Sequence, residues 1–349
     1  MSAAHKNDNQ LLLGIDLGTS RTAIMTSRGT REMVRSVVGY PKDLIGVKLL
    51  GKPYAVGQEA LDKHSYLDLR YPLGEGVLKE LSDRDLDVAR HLIDYVLQLA
   101  QPEDGDEIAG VIGIPARASA ADKTLLLNMA QEVMDTALVV SEPFMVAYGL
   151  DILLNAIVID IGAGTIDIAA LKGMMPGPED QITLHKAGDY LDGKLKAELQ
   201  EAYPDIQLTN LIASHIKEQH SFVGDSPAGI INVNFRADGR PVVYSVQDQI
   251  RNVCESIVPD IIENVTALLR TFDPSVQDAV LQNIILAGGG SLIHGLDEMI
   301  ADQLAEYGDT RVVKVADANF AAAEGAIKLA MDLPPMYWNQ LGEMIGAPE

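Results

Sequence analysis

Two stretches of the chain share one pattern of apolar and polar positions. In residues 14–24, GIDLGTSRTAI, and in residues 158–171, VIDIGAGTIDIAAL, apolar β-forming residues lead to an aspartate, a Gly-Thr turn and a second apolar run. Apolar runs of this length on either side of a glycine turn are typical of β-hairpins. The sequence therefore predicts two similar hairpins, one near the start of the chain and one near its middle.

Helix and strand patterns alternate between these hairpins. Residues 83–100 repeat apolar positions at helical spacing, with acidic residues in the first turn. Ser119, with Asp122 three residues later, predicts a capped helix that extends to about residue 137. The apolar run at residues 137–143 predicts a strand that stops at a proline.

The second half of the chain repeats this alternation. Residues 246–271 predict one long helix with a kink at Pro259. Residues 292–304 predict a helix directly behind the buried strand and glycine turn of NIILAGGGS. Strands, turns and helices that alternate in two comparable halves indicate an α/β fold with two lobes.

The composition narrows the classes of partner. The 349 residues include 27 Lys and Arg against 50 Asp and Glu, a formal net charge of −23, so the surface repels nucleic acid and anionic lipid. We therefore expect no nucleic-acid partner and no direct membrane insertion, since no apolar run approaches the roughly 20 residues that span a bilayer. A single cysteine, Cys254, and a polar start without a secretory signal favour a cytoplasmic protein.

The two Asp-Gly-Thr turns have the composition of a phosphate-binding site. Glycine lets the backbone approach a ligand, and successive N–H groups in such a turn form an anion-binding nest. Thr19 and Thr165 add hydroxyl donors. Asp16 and Asp160 would repel a bare phosphate, but they suit a hydrated Mg²⁺ between carboxylate and phosphate. One such turn is most simply a tight hairpin, whereas two matching turns favour a polyphosphate site.

Three further stretches support a nucleotide site. AGGGSLIHG places Gly288, Gly289 and Gly290 between a buried strand and a helix, where the backbone can approach a nucleotide closely. SEPFMVAYG places Glu142 just past a strand end, where a carboxylate can orient or deprotonate a water molecule. AAAEGAIKLA is a helix of small residues, as needed where two backbones pack closely.

In this order, the five stretches resemble the motifs of the ATPase core shared by actin, sugar kinases and the seventy-kilodalton heat-shock chaperones. DLGTSRTA and DIGAGTIDI resemble its two phosphate motifs, SEPFMVAYGL and AAAEGA its two connecting motifs, and ILAGGGSLIHGL its adenosine motif. The resemblance implies an actin-like ATPase fold, with two lobes of duplicated ribonuclease-H-like topology and a nucleotide cleft between them. Lobe I would comprise residues 1–152, completed by residues 320–349, and lobe II residues 153–319.

The resemblance also implies roles for individual residues toward ATP and Mg²⁺. Glu142 would position the attacking water, and Asp160 would join it in catalysis. Asp16 and Asp160 would hold the metal through water. The residues expected to contact the nucleotide are Asp16, Gly18, Thr19, Ser20, Gly162, Gly164, Thr165, Lys217, Glu218, Gly288, Gly289, Gly290 and Ser291. Relatives have a Lys-x-Glu near the ribose, and the run Lys217-Glu218-Gln219 leaves open which of its last two residues takes that place.

Several stretches, among them GYPKDLIGVKLLGKPYAVGQEA, resemble bacterial actins related to MreB, and within them the actin-like proteins of magnetosome chains. This implies a homopolymer filament that hydrolyses ATP and positions magnetosomes through an adaptor protein on the magnetosome membrane. An MreB-type cell-shape filament and a small-molecule kinase of the same superfamily are the alternatives. We do not expect a chaperone ATPase, because the sequence after AAAEGA leaves no room for a peptide-binding domain.

Overall fold

The computed structural model describes residues 9–79, 82–227, 229–334 and 336–338. The chain divides into two compact units, one formed by Met1–Ile152 with Asn319–Glu349 and the other by Leu153–Ala318. Among the described residues we find no helix whose length and hydropathy would let it span a bilayer.

The first unit is built around a mixed sheet. Its strands are β1 (Gln10–Leu17), β2 (Arg21–Thr26), β3 (Arg31–Arg35), β4 (Val38–Pro41), β5 (Ala55–Val56), β6 (Leu67–Arg70), β7 (Leu73–Gly74), β8 (Val77–Leu78), β9 (Glu107–Ile114) and β10 (Thr136–Ser141). The main sheet has the order β10-β9-β1-β2-β3. Strands β10, β9 and β1 are parallel to one another, whereas β2 is antiparallel to β1 and β3 is antiparallel to β2. A smaller sheet has the order β5-β4-β6.

Helices cover this sheet and its connections. They are α1 (Leu44–Leu50), α2 (Gln58–Asp62), α3 (Asp83–Leu99), α4 (Ala120–Gln131) and α5 (Glu142–Gly149). The apolar face of α3, with Val88, Leu92 and Val96, is buried in the same apolar cluster as Ile24 of β2. This packing removes the apolar side of the predicted amphipathic helix from water.

The second unit repeats the arrangement of the main sheet. Its strands are β11 (Leu154–Ile161), β12 (Ile166–Lys172), β13 (Gln181–Leu184), β14 (Asn232–Ala237), β15 (Arg240–Ser245), β16 (Ile284–Ala287) and β17 (Val312–Lys314). The order β13-β12-β11-β16-β17 places an antiparallel pair on one side of β11 and parallel strands on the other, as in the first sheet around β1. The two predicted hairpins are therefore β1–β2 and β11–β12.

The helices of the second unit enclose its core, and one last helix returns to the first unit. They are α6 (Gly188–Ala202), α7 (Asn210–His220), α8 (Gln247–Glu255), α9 (Val258–Leu269), α10 (Gln277–Leu281), α11 (Leu296–Leu304) and, in the first unit, α12 (Ala321–Asp332). Helix α12 packs closely on α5 and β1. The distances are so short that a side chain at Gly325 would collide with the carbonyl of Met145, and one at Gly14 with the backbone of Ile327. The small-residue stretch AAAEGA thus forms a close backbone contact within this unit.

Three predicted helix boundaries are wrong. Ser119 caps α4 in a capping box with Asp122, as predicted, but the helix ends at Gln131 rather than near residue 137. Residues 132–135 form a turn, and β10 then pairs with β9 and buries Ala137 and Val140. The turn is held by the N–H of Asp135, which donates to the carbonyl of Ile108 in β9 at 2.9 Å, so the chain leaves the helix before it enters the strand.

The long helix predicted at residues 246–271 is two helices. Helix α8 ends at Glu255, and Pro259 is the second residue of α9. A proline lacks the N–H that would bond to the carbonyl four residues earlier and clashes with it, whereas the first turn of a helix needs no such bond. The proline therefore begins a new helix instead of kinking a continuous one.

The helix predicted to start at residue 292 begins at Leu296. Residues Gly289–Leu292 form a 3-10 turn, and Gly295 has a φ of 77°. This left-handed conformation cannot be part of a right-handed helix, so α11 starts at the residue after Gly295.

Candidate functional site

The first Asp-Gly-Thr turn, residues 16–20, joins β1 to β2. A Cβ atom at Gly18 would lie 2.6 Å from the carbonyl oxygen of Arg21, so glycine is required there. Ser36 holds the turn from one side: its Oγ donates to the Gly18 carbonyl at 2.6 Å and its N–H to the Ser20 carbonyl at 3.0 Å. Because a trans peptide directs its C=O and N–H oppositely, the N–H of Thr19 points away from Ser36.

The hydroxyl groups of this turn have partners in the first unit. The N–H of Gly76 donates to Thr19 Oγ1 at 3.0 Å, and Arg35 Nη1 donates to Ser20 Oγ at 3.3 Å. A hydroxyl that accepts one bond keeps its own hydrogen for another acceptor. Thr19 and Ser20 are thus oriented and retain the capacity to donate to a phosphate oxygen.

Asp16 and Glu142 come from strands that end at the same edge of the sheet. Asp16 of β1 is paired with Gly113 of β9, which is paired with Val140 of β10, and Glu142 follows two residues later as the first residue of α5. A Cβ atom at Gly113 would lie 3.2 Å from Glu142 Cγ. Gly113 therefore leaves space for the side chains of Met145 and Glu142, and Pro143 stiffens the start of α5.

The charge of Asp16 depends on its surroundings. Burial raises the pKa of the Asp16 carboxyl to about 7, although its surface is not fully covered. Desolvation penalises the ionised form, and a nearby cation would favour it again. Asp16 in the cation-free protein thus gains its charge near neutral pH.

The second Asp-Gly-Thr turn, residues 160–165, joins β11 to β12 and is closed by a bond from Gly162 N to the Thr165 carbonyl at 2.8 Å. The carbonyls of Gly162 and Ala163 accept from the N–H groups of Gly188 and Asp189, at 3.2 and 2.8 Å, at the start of α6. Across those two peptide planes, the N–H groups of Ala163 and Gly164 point away from α6. The second turn thus directs two backbone donors to one side, as an anion-binding nest requires.

Asp160 is buried beside a second carboxyl group that the sequence reasoning missed. Asp160 and Asp167 are directly opposite each other in the β11–β12 register, so their side chains lie on the same face. Both are buried, and Thr183 Oγ1 donates to Asp167 Oδ1 at 2.5 Å. The spacing of the two aspartates across a predicted hairpin was the signal that could have identified Asp167.

The glycine turn after β16 packs directly on this hairpin. Gly288 has a φ of 73°, and a side chain there would collide with Asp160 and with the carbonyl of Ile161. A side chain at Gly290 would collide with Ile161, whereas a Cβ atom at Gly289 would meet no atom within 4 Å. Ser291 is buried, and its Oγ donates to the Gly288 carbonyl at 2.7 Å. Gly288, Gly290 and Ser291 therefore shape the turn, and Gly289 presents open backbone.

Lys217 lies on α7 in contact with the start of α6. Its Nζ donates to the Gly188 carbonyl at 2.7 Å and lies 2.7 Å from Asp192 Oδ1. Burial raises the pKa of Asp192 in spite of the lysine, which acts in the opposite direction. The expected contacts of Lys217 and Glu218 with a ribose stay predictions.

Each unit therefore carries the same set of groups: a carboxyl group at the end of the central strand, a glycine turn with backbone donors, and a threonine hydroxyl. Within each unit, these groups are of the kind that binds phosphate oxygens directly and a hydrated cation through carboxylate.

Comparisons with known proteins find similar chains of nearly the same length. The family model described as MreB/Mbl protein matches residues 10–334. The actin-like protein MamK of Paramagnetospirillum magneticum is 56% identical over 339 residues, which cover 97% of each chain. A MamK double helical filament matches with a TM-score of 0.92 at 56% identity, over 93% of this chain and 100% of the other. A non-polymerising MamK mutant bound to AMPPNP matches with a TM-score of 0.71 at 56% identity, over 93% and 99%.

Proposed function

This chain belongs to the MreB/Mbl family of actin-like proteins, and from that membership we propose that it binds ATP with Mg²⁺, hydrolyses it and polymerises into filaments. The family and the actin-like fold expected from the five motifs are confirmed by the family match and the filament match. The filament proposal is supported by the MamK filament structure, and ATP binding by the AMPPNP-bound MamK mutant, since AMPPNP is an ATP analogue.

The observation that carries ATP binding is the equivalent construction of the two turns. In each, carbonyl groups are bonded on one side, to Ser36 in the first turn and to the start of α6 in the second. The neighbouring N–H groups therefore point to the other side, where a phosphate accepts them. We assign the first turn and the second turn to the phosphate chain of the nucleotide.

Mg²⁺ fits the groups present. Among the described residues, no three His, Cys, Asp or Glu side chains cluster into a closed metal cage. Mg²⁺ needs none, because it takes one or two carboxylates, keeps several waters and binds substrate phosphates. We propose that the carboxylates of Asp16 and Asp160 accept hydrogen bonds from the water molecules bound to Mg²⁺. When bound, the ion offsets negative charge on the phosphates.

Hydrolysis is assigned to Glu142. Its carboxyl group stands at the first position of α5, held by the adjacent proline and by the packing of its stem on Gly113. In phosphoryl transfer, catalysis comes mainly from positioning and electrostatics, and one carboxylate suffices to orient the attacking water. Asp160, at the other turn, supports the reaction through the metal's water shell.

The filaments are proposed to organise magnetosomes, as the similarity to MamK suggests. An adaptor protein on the magnetosome membrane would connect them, because a chain with a net charge of −23 is repelled by anionic lipid. We therefore propose two kinds of partner: other copies of the same chain in the filament, and the adaptor protein.

Phosphate release and sedimentation, with negative-stain microscopy, test the proposal on the full chain with Mg·ATP, Mg·ADP and no nucleotide. We expect ATP-dependent filaments that disassemble as phosphate is released. Glu142→Ala should slow hydrolysis about 10²–10⁴-fold, while ATP binding and assembly persist, so that filaments last longer. Glu201→Ala, at an exposed position of α6, is the matched control.

Three results would contradict the proposal or one of its parts. A wild-type chain that neither binds ATP nor sediments in any nucleotide state would refute the function. Hydrolysis by Glu142→Ala at the wild-type rate would remove Glu142 from the reaction, and loss of assembly with normal ATP affinity would assign it a structural role instead.

A further inference from the structure

Lys217 joins α7 to the first residues of α6. Its Nζ donates to the carbonyl of Gly188 and pairs with Asp192, both at 2.7 Å. The lysine and aspartate side chains are only 15% and 13% exposed, so this ion pair is largely removed from water. A pair in that position is sensitive to removal of one partner, because the other charge is left without compensation.

The start of α6 also holds the second turn, and Gly188 takes part in both contacts. The N–H groups of Gly188 and Asp189 donate to the carbonyls of Gly162 and Ala163. A Cβ atom at Gly188 would lie 3.0 Å from Ala163 Cα and 3.3 Å from Lys217 Nζ. The lysine, the helix start and the second turn are therefore packed in direct succession.

Stability of α6 alone does not explain the lysine. A cation near a helix N-terminus opposes the helix dipole, which favours negative charge there. The residue before α6, Ala187, also provides no side-chain cap. The start of α6 is instead fixed by Lys217 on one side and by the second turn on the other.

We propose that Lys217 is a positioning residue for the second turn. By holding Gly188 and Asp192, it fixes the carbonyls of Gly162 and Ala163, and with them the direction of the N–H groups of Ala163 and Gly164. The step from this geometry to phosphate binding rests on the proposed function. A residue that contacts ribose would lower affinity for every adenosine compound, whereas a residue that positions the turn affects only compounds that carry phosphate.

Amide hydrogen exchange in the nucleotide-free full chain tests the positioning role without reference to ATP. Lys217→Met should accelerate exchange at the Gly188 and Asp189 amides, and Lys217→Arg should restore part of the protection. Lys196→Met is the matched control, because Lys196 Nζ also joins α6 to α7, through Asn210 Oδ1 at 2.9 Å, away from the turn. Unchanged exchange at both amides in Lys217→Met would overturn the proposal.

Competition binding with Mg·ATP and with adenosine tests the consequence. Lys217→Met should weaken Mg·ATP binding about tenfold, which is the loss in affinity expected when one hydrogen bond to a charged phosphate is lost. Adenosine binding should stay unchanged. An equal loss for both compounds would overturn the proposal in favour of a ribose contact. If the wild type binds neither compound, the proposed function fails, and the exchange experiment decides the positioning role alone.

Asp192→Asn is the second variant, in case Lys217→Met does not fold. It keeps the bond from Lys217 to the Gly188 carbonyl, so it should give the same changes at smaller amplitude. No change in this variant would overturn the proposal.

Discussion

Asp16 and Asp160 end equivalent strands but differ in their surroundings. Asp160 is 7% exposed and lies opposite Asp167, while Asp16 retains partial exposure. Burial raises the pKa of Asp16 from an ordinary value near 3.8 to about 7. At pH values between these two pKa values, the native chain holds a proton on Asp16 that the unfolded chain has lost. This residue therefore lowers the free energy of unfolding as pH rises from about 4 to 7.

Asp16→Asn should therefore stabilise the nucleotide-free protein increasingly as pH rises. The amide carries no charge, so the variant lacks the cost of ionising a desolvated carboxyl group. Thermal unfolding from pH 4.5 to 8 in EDTA should show a Tm difference between variant and wild type that grows with pH and levels off above pH 7. The same variant should bind Mg·ATP more weakly, because the amide is a poorer partner for the metal's waters.

Asp302→Asn, at an exposed position of α11, also replaces one carboxyl group by an amide and is the control for this measurement. A Tm difference between Asp16→Asn and wild type that stays constant with pH would mean that the Asp16 carboxyl group is already ionised throughout this pH range in the native state.

At this scale, the sequence identifies residues whose role is encoded locally. The Asp-Gly-Thr turns are recognisable because the glycines and the aspartate are adjacent in the chain, and the structure places both sets at hairpin turns. The partners of Lys217 are not recognisable, since its contact with Gly188 spans two helices and depends on how they pack. Asp167 is intermediate, because hairpin register alone brings it opposite Asp160.

The elements show the same division between local and distant causes. The start of α4 at Ser119 is confirmed, because a capping box lies within four adjacent residues. Its predicted end is wrong, because the helix stops at Gln131 and the turn that follows is held by a distant group, the Ile108 carbonyl, which accepts from the N–H of Asp135. At α8 and α9, Pro259 was recognised, but the choice between a kink and a break depends on whether neighbouring groups satisfy the backbone.

The glycine turn between β16 and α11 allows folding and ligand approach to be separated. Gly288→Ala should lower the free energy of unfolding by about 1–3 kcal/mol, because of its φ of 73° and the collision with Asp160 and Ile161. Gly289→Ala should leave the Tm unchanged, since its Cβ atom meets no neighbour within 4 Å, and should weaken binding of adenosine nucleotides that approach the open backbone. Thermal unfolding and nucleotide titration of both variants measure the two effects.

The two substitutions serve as controls for each other, because they add the same methyl group to adjacent residues. Normal nucleotide affinity in a stably folded Gly289→Ala protein would place the adenosine away from this turn. An undiminished Tm in Gly288→Ala would show that the turn adjusts without strain.

For the molecule as a whole, repetition in the sequence corresponds to repetition in the fold. The two sheets have the same order and direction of strands around β1 and β11, although the segments between them differ in length and in their added hairpins. The repeated hairpin pattern predicted two similar halves because each hairpin is local. The sheet order had to come from the family resemblance, since parallel pairing of β9 with β1 joins residues far apart in the chain.

The net charge of −23 belongs to the whole molecule and gives the last prediction. Copies this acidic repel one another in a filament, and salt screens that repulsion: the Debye length falls from ~30 Å at 0.01 M to ~8 Å at 0.15 M. Filament yield with Mg·ATP should therefore rise from low salt to physiological salt, and Mg²⁺ should raise it further as a counterion. Sedimentation across a KCl series at fixed Mg·ATP measures this, with nucleotide affinity followed in parallel to separate assembly from binding. A yield that falls steadily over the same range at constant ATP occupancy would mean that attraction between opposite charges at the subunit contacts outweighs the repulsion between whole subunits.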